Sequence, residues 1–440
     1  MFNDTRLLHR IGALGVVAIA LLALPFAACA GKGGANPPAP GGTAAEAGQW
    51  DWPQYRGPDR NGISKETGWV AEWPKSGPNT LWKVNVGTGF ATVSVANGRL
   101  FTMGNENDQD TVYCLNPETG EQIWTHTYEC KVFSKQHEGG PSATPAVDGD
   151  RVYTLSKFGD LHCYDVKDGS LIWSKNLEKD FGAKVPTWGY SNSSLVDGDK
   201  LIVDAGHTYA LDKKTGEVIW KSAEDLGPGY SSPVVFELDG KRIYAMYNAY
   251  GLVLIAAADG KEIDRFEWDT NYDVNAATPI INGDEIFIAS GYNKGCALLK
   301  INDGQLEEIW SSREMRNHFN SSVLWKDHLY GFDESNVKCL SYKDGEQKWE
   351  QRGLGKGSLM LADGKLIILS ERGELVIAEA SPEEFKEISR THVLGGKCWT
   401  VPVLSNGRIY CRNAAGDLVC VDVSGKDVAE AADKSNREES

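Results

Sequence analysis

A chain of 440 residues with 61 acidic against 45 basic side chains, a formal net charge of −16, shows no basic stripe for phosphate backbones, which excludes a nucleic-acid partner. Its nine cysteines include no Cys-x-x-Cys and no adjacent pair, which removes a zinc ribbon, a thiol redox motif and c-type haem attachment.

The chain opens on residues 1–29, where Arg6 and Arg10 precede an apolar stretch over 11–28 that ends in small residues, the pattern of a secretory signal peptide. Phe26-Ala27-Ala28-Cys29 has the form of a lipobox, in which cleavage exposes Cys29 for lipidation, while Ala28-Cys29-Ala30 also satisfies the small-x-small rule of ordinary cleavage. The expected location is extracytoplasmic, on the periplasmic side of a bacterial membrane, with membrane contact through a lipid anchor only. Residues 30–78 read as a Pro- and Gly-containing tether with an N-terminal lead-in segment.

Residues 79–424 are repetitive. Tight-turn dipeptides recur roughly every 44 residues: Asn97-Gly98, Asp148-Gly149, Asp197-Gly198, Asp239-Gly240, Asn282-Gly283, Asp363-Gly364 and Asn406-Gly407, with Lys326-Asp327 filling the remaining place. Each lies between short runs of Val, Ile, Leu, Tyr or Phe, and Asn-Gly or Asp-Gly supplies the paired positive φ of a two-residue hairpin. Eight such units predict an all-β, eight-bladed β-propeller with four-stranded antiparallel blades.

An offset mark gives the closure. Glycine precedes tryptophan by four residues at Gly120/Trp124, Gly169/Trp173, Gly216/Trp220 and Gly345/Trp349; the fifth unit has Gly304/Trp310, and the seventh, around 380–387, has neither residue. An early Leu81-Trp82-Lys83-Val84 precedes the first unit and is expected to complete the last blade, so that an N-terminal strand closes the ring. Cys114, Cys163, Cys339 and Cys420 hold equivalent positions and read as apolar third-strand residues; Cys130, Cys296, Cys398 and Cys411 are off-pattern and leave room for one disulfide. The acidic run over 105–110 lacks the ligand pattern of a calcium loop and reads as a solvated strand connection. Residues 425–440 read as a disordered charged tail.

The pattern in Ala210-Leu211-Asp212-Lys213-Lys214-Thr215-Gly216-Glu217-Val218-Ile219-Trp220 resembles the tryptophan-docking repeat of pyrroloquinoline-quinone (PQQ) type propellers, a family that includes quinoprotein alcohol dehydrogenases and the BamB lipoprotein. Residues 51–62, Asp-Trp-Pro-Gln-Tyr-Arg-Gly-Pro-Asp-Arg-Asn-Gly, resemble the N-terminal motif of PQQ-like repeat proteins of planctomycetes. The resemblance implies PQQ as a candidate cofactor. It also implies, for a dehydrogenase, a vicinal disulfide, a Ca²⁺ held by Glu, Asn and Asp, and a further Asp as base; this chain has no vicinal cysteines and lacks the long insertions of those enzymes. No catalytic residue or metal ligand is assigned.

In this architecture the segments leading into the first strands crowd one face. They bring Trp188, Tyr190, Asp273, Asn275, Arg316, His318, Lys356 and Trp399 toward one funnel. A ligand reading makes Trp188 and Trp399 stacking walls, Arg316 and Lys356 the grip on an anion, and Asp273 with Asn275 polar anchors. The expected function is a non-catalytic binding or scaffold protein of the cell envelope, with envelope proteins as partners as the BamB resemblance implies. The alternative is a binder of a small anionic ligand, or a PQQ-dependent dehydrogenase-like protein, that uses the funnel.

Overall fold

The computed structural model describes residues 35–36, 48–133 and 137–425; the expectations for residues 1–29, for Cys29 and for residues 426–440 fall outside them. Eight antiparallel sheets form the blades of a β-propeller. Their innermost strands are Ser94–Ala96, Ala146–Asp148, Leu195–Asp197, Val234–Leu238, Ile280–Asn282, Val323–Trp325, Ser358–Ala362 and Val403–Ser405. We number the blades 1 to 8 in that order. Blade 8 takes its outermost strand, Thr80–Asn85, from the beginning of the propeller, antiparallel to Asp417–Asp422.

The turn dipeptides divide into two kinds. At Asn97-Gly98, Asp239-Gly240, Lys326-Asp327, Asp363-Gly364 and Asn406-Gly407 both residues have positive φ, as expected. At Asp148, Asp197 and Asn282 only the following glycine does, because the acidic or amide residue still pairs within the ladder (Asp148 with Arg151, Asp197 with Lys200, Asn282 with Glu285). Glycine then occupies the first turn position, the requirement of a type II′ hairpin and not of type I′.

The tryptophan period has a packing cause. The Trp82 indole covers Gly120 of blade 1 and donates to Pro117 O at 3.1 Å; Trp124 does the same over Gly169 to Val166 O, and Trp173 over Gly216 to Lys213 O. A Cβ on Gly120 would meet the Trp82 ring at 2.7 Å, so the glycine is needed for the indole of one blade to lie flat on the turn of the next. In the seventh unit Trp349 still donates to Ser381 O. That unit has no tryptophan of its own, and Trp69 and Trp73 from the lead-in segment pack into the neighbouring core. All eight described cysteines are free and buried, so no disulfide joins Cys130, Cys296, Cys398 or Cys411. The connection over 105–110 is exposed from Glu106 to Gln109, as expected of a solvated strand connection, but its two ends are not. Asn105 and Asp110 are buried, because Asn105 Nδ2 donates to Asp110 Oδ1 at 2.7 Å and to Cys130 O at 2.8 Å.

Residues 50–66 cross the central channel and bond to seven blades. Trp52 exchanges backbone bonds with Val95, Pro53 O accepts from Val147 N, and Ile63–Ser64 pairs in parallel with Leu361 and Ala362 of blade 7. Glu66 accepts from the backbone N–H groups of Asn406 and Gly407 in blade 8. Gly57, at φ 82°, lies against the Trp52 ring, where a Cβ would approach to 2.5 Å.

Candidate functional site

At the opposite end the channel opens into a cavity of about 200 Å³, lined by loops that precede the first strands and by second-to-third-strand hairpins. Its rim is a chain of aromatic rings. Tyr230 meets Trp188 at 5.8 Å between centroids, Trp188 meets Tyr272, Tyr272 meets Tyr292, and Tyr292 meets His318 at 4.6 Å. The chain continues through Phe319, which stacks on Trp399 at 4.4 Å, and Trp399 stacks on Phe90 at 5.7 Å and takes the edge of His137 at 4.8 Å. Residues from seven blades thus form one aromatic rim, and such edge-to-face and offset pairs fix ring orientation before any ligand arrives.

Below the rings lies a belt of small hydroxyls. Thr144 Oγ1 accepts from Thr92 N, Ser193 Oγ from Thr144 N at 2.8 Å, Ser232 Oγ from Ser193 N at 2.9 Å, and Ser321 Oγ from Thr278 N at 2.9 Å. Blades 1–2, 2–3, 3–4 and 5–6 are therefore clasped through a Ser or Thr just before the first strand. Tyr55, from the crossing segment, forms part of the floor.

Beneath that floor are buried cations. The Arg60 guanidinium donates to Ser193 O, Ser194 O and Pro233 O and to Gln54 Oε1; Arg56 donates to Arg60 O, Asn61 O and Ser322 O. Arg412 similarly donates to the carbonyls of Ala91, Met103 and Gly87. Burial lowers all three, Arg56 to about 10 and Arg60 and Arg412 to about 9, so each remains charged at neutral pH. Among the described residues none of the three meets a carboxylate. A fourth cation, Lys157, lines the cavity itself, where its Nζ donates to Trp188 O at 3.0 Å. Burial pushes Lys157 down to about 8, opposed by the charge of Asp110. In a chain of net charge −16 the channel axis is therefore locally positive.

The eight residues expected at the funnel separate. Trp188, His318 and Trp399 line the cavity. Trp399 Nε1 donates to Glu371 Oε1 at 3.2 Å, which fixes the indole. Lys356 reaches only the second layer, where its Nζ lies 3.0 Å from both His318 Nδ1 and Glu334 Oε2. Arg316 is held by Asp333 through two bonds of 2.6 and 2.8 Å, Asn275 is fully buried and joins Asn248 O, Trp268 O and Ser290, and Tyr190 is core with its OH on Lys184 O. Asp273 sits exposed outside the cavity, at φ 58°. The cation that lines the cavity is therefore Lys157, in a second-to-third-strand hairpin, and not Arg316 or Lys356 of the lead-in loops. His318 is pushed down to about 4 and His137 is also lowered, in both cases mainly by burial and then by a neighbouring lysine, so both are neutral at pH 7. Among the described residues no carboxylate lines the cavity, and no group of three or more His, Cys, Asp or Glu could hold a metal. The described lining residues offer no carboxylate oxygens to a hard cation such as Ca²⁺.

These features define a PQQ-like β-propeller with an aromatic, one-ended funnel. Residues 67–141 and 131–351 match the family described as outer membrane protein assembly factor BamB, and the chain belongs to that family. Among solved structures it is similar to BamB from Moraxella catarrhalis (16% identity, TM-score 0.58, 78% of this chain and 97% of that one). It is also similar to the quinohemoprotein alcohol dehydrogenase from Comamonas testosteroni (13% identity, TM-score 0.61, 87% and 82%) and to the computationally designed Ika8 protein (10% identity, TM-score 0.55, 79% and 100%). Identities this low establish the fold. No curated protein sequence matches the chain significantly.

Proposed function

We propose that the protein is a non-catalytic binding protein of the bacterial cell envelope, exported and anchored through a lipid on Cys29, whose funnel takes a small planar anion. One observation carries the ligand: an apolar aromatic wall stands over cations that no carboxylate neutralises among the described residues. Flat rings bind flat rings, and the uncompensated charge favours an anion where a neutral ligand would gain nothing. Titration calorimetry with terephthalate and with PQQ tests this. One-to-one binding is expected, and Lys157→Met should weaken it roughly ten- to hundredfold, the equivalent of a charge-assisted bond of about 1.5–3 kcal/mol. Arg316→Gln should leave the affinity unchanged, since Arg316 is already committed to Asp333. Absence of binding by the parent would remove the ligand reading.

A second reading, a scaffold for envelope proteins, draws on the BamB family and on one surface. The outermost strands of neighbouring blades 2 and 3 expose Leu171, Ile172, Val218 and Ile219 by 40–46%. Such edges can accept a partner strand. Ile172→Lys with Val218→Lys should then abolish co-purification of envelope proteins with the full-length lipoprotein; unchanged co-purification would count against this surface.

A further inference from the structure

Lys157 is placed unusually for a lysine. It sits in the hairpin between Arg151–Leu155 and Asp160–Asp165, and its stem passes beneath Gly189, where a Cβ would meet the Lys157 Cδ at 2.8 Å. The residue lines an aromatic cavity, and its Nζ donates to one carbonyl and meets no carboxylate among the described residues. A lysine kept for stability is normally paired or snorkels to water. This one, partly buried, has only the Trp188 carbonyl as its hydrogen-bond partner and no carboxylate among the described residues.

From this geometry we infer that Lys157 captures carbonyl compounds: small aromatic aldehydes or ketones bearing an anionic group enter the funnel and form an imine with its amine. The inference rests on the funnel being a ligand site. In the step, the nitrogen lone pair adds to the carbonyl carbon, a proton passes from nitrogen to oxygen, and the carbinolamine loses water as the C–O bond breaks and the C=N bond forms. Neither oxidant nor reductant is consumed. The surroundings favour each stage. Desolvation of the amine keeps a large neutral fraction, as in other Schiff-base lysines. The aromatic walls limit the water that would hydrolyse the product. His137 and His318, both lining the cavity and both neutral at pH 7, supply imidazoles for proton transfer. The titratable groups that face Lys157 are Asp110, whose charge favours its cation, and His137, which that cation helps to keep neutral.

The test uses the full chain with 4-formylbenzoate and cyanoborohydride at pH 7.5, with peptide mapping of the reduced adduct. In parallel, 4-methylbenzoate, which has no carbonyl, is titrated calorimetrically. With Lys157 near 8 and an ordinary lysine near 10.5, about a quarter of Lys157 but only about a thousandth of a surface lysine is neutral at that pH. Labelling at Lys157 is therefore expected at least tenfold faster than at any other lysine, slowed by 4-methylbenzoate and absent in Lys157→Arg, a variant that keeps the charge and whose fold is checked by its thermal midpoint. Even labelling of many lysines while 4-methylbenzoate binds would overturn the imine and leave the pocket standing. Even labelling with no binding of 4-methylbenzoate would overturn both.

Discussion

The two ends of the channel are built from opposite materials. At the mouth, rings contact rings, donors are few, and Trp399, Phe319 and His318 are each only half-buried. At the floor, Arg56 and Arg60 are almost fully buried, adopt positive φ (63° and 51°) and spend their donors on carbonyls of blades 3, 4 and 6 and of their own loop. The lesson is one of division of labour. A floor of satisfied, directional bonds can hold the ring together and close the channel, which leaves the mouth free to be shaped for a ligand.

The largest expected effect breaks the floor. Arg60→Met would strip partners from three buried carbonyls, Ser193 O, Ser194 O and Pro233 O, and should cost roughly 3–5 kcal/mol in urea unfolding. A loss below about 0.5 kcal/mol would mean that the crossing segment is not a clasp. Gly57→Ala, which forces a Cβ onto the Trp52 ring at an unfavourable φ, should cost about 1–3 kcal/mol by the same measurement.

Between the two ends, the wall at blade 1 holds Asp110. Burial raises its carboxyl from 3.8 to about 6, with Asn105 opposing the rise, and its Oδ2 has no partner. The folded state therefore binds the proton more tightly than the unfolded chain. Asp110 imposes no penalty below pH 4, and its penalty grows as pH rises toward 6 and is complete above it. Asp110→Asn should gain about 1–2 kcal/mol at pH 8 and nothing at pH 3.5, read from thermal midpoints across pH. An equal effect at both values would assign the gain to packing. The smallest stability effect belongs to the mouth. Trp188→Ala should cost about 1 kcal/mol or less while weakening ligand binding about tenfold or more, from paired calorimetry and unfolding; a cooperative loss of fold would show Trp188 to be core.

The contrast between the ends also explains what the sequence disclosed. The blade number and the tryptophan docking were legible because each is a local rule repeated: a glycine turn, a hydrophobic strand, and an indole that needs a neighbouring glycine. Half of the turn geometry was legible too; whether Asp148 ends a strand or begins a turn depends on a one-residue register that the dipeptide does not encode. The site was less legible, because long-range partners decide the state of a charge. Arg316 and Lys356 look available in the chain, yet Asp333 and Glu334, in the hairpin of blade 6 between them, occupy them. Arg56 and Arg60 look like solvent-facing residues of a Pro- and Gly-rich segment. The clue lay in two arginines flanked by glycines in a strongly acidic chain, with no acidic neighbour save Asp59, which the structure pairs with Lys65. Lys157 gave no such signal, since a hairpin lysine is ordinarily exposed.

The funnel's central claim is that a planar anion is held by Lys157 between aromatic walls. Calorimetric titration of terephthalate into the parent and into Lys157→Met, at pH 7 and at pH 9.5, tests it most directly. As pH rises through about 8, Lys157 loses its charge, and Arg60, near 9, follows, so affinity in the parent should fall at least tenfold while the weaker binding of Lys157→Met falls less. Equal affinity in both proteins at both pH values, or no binding in either, would contradict the account.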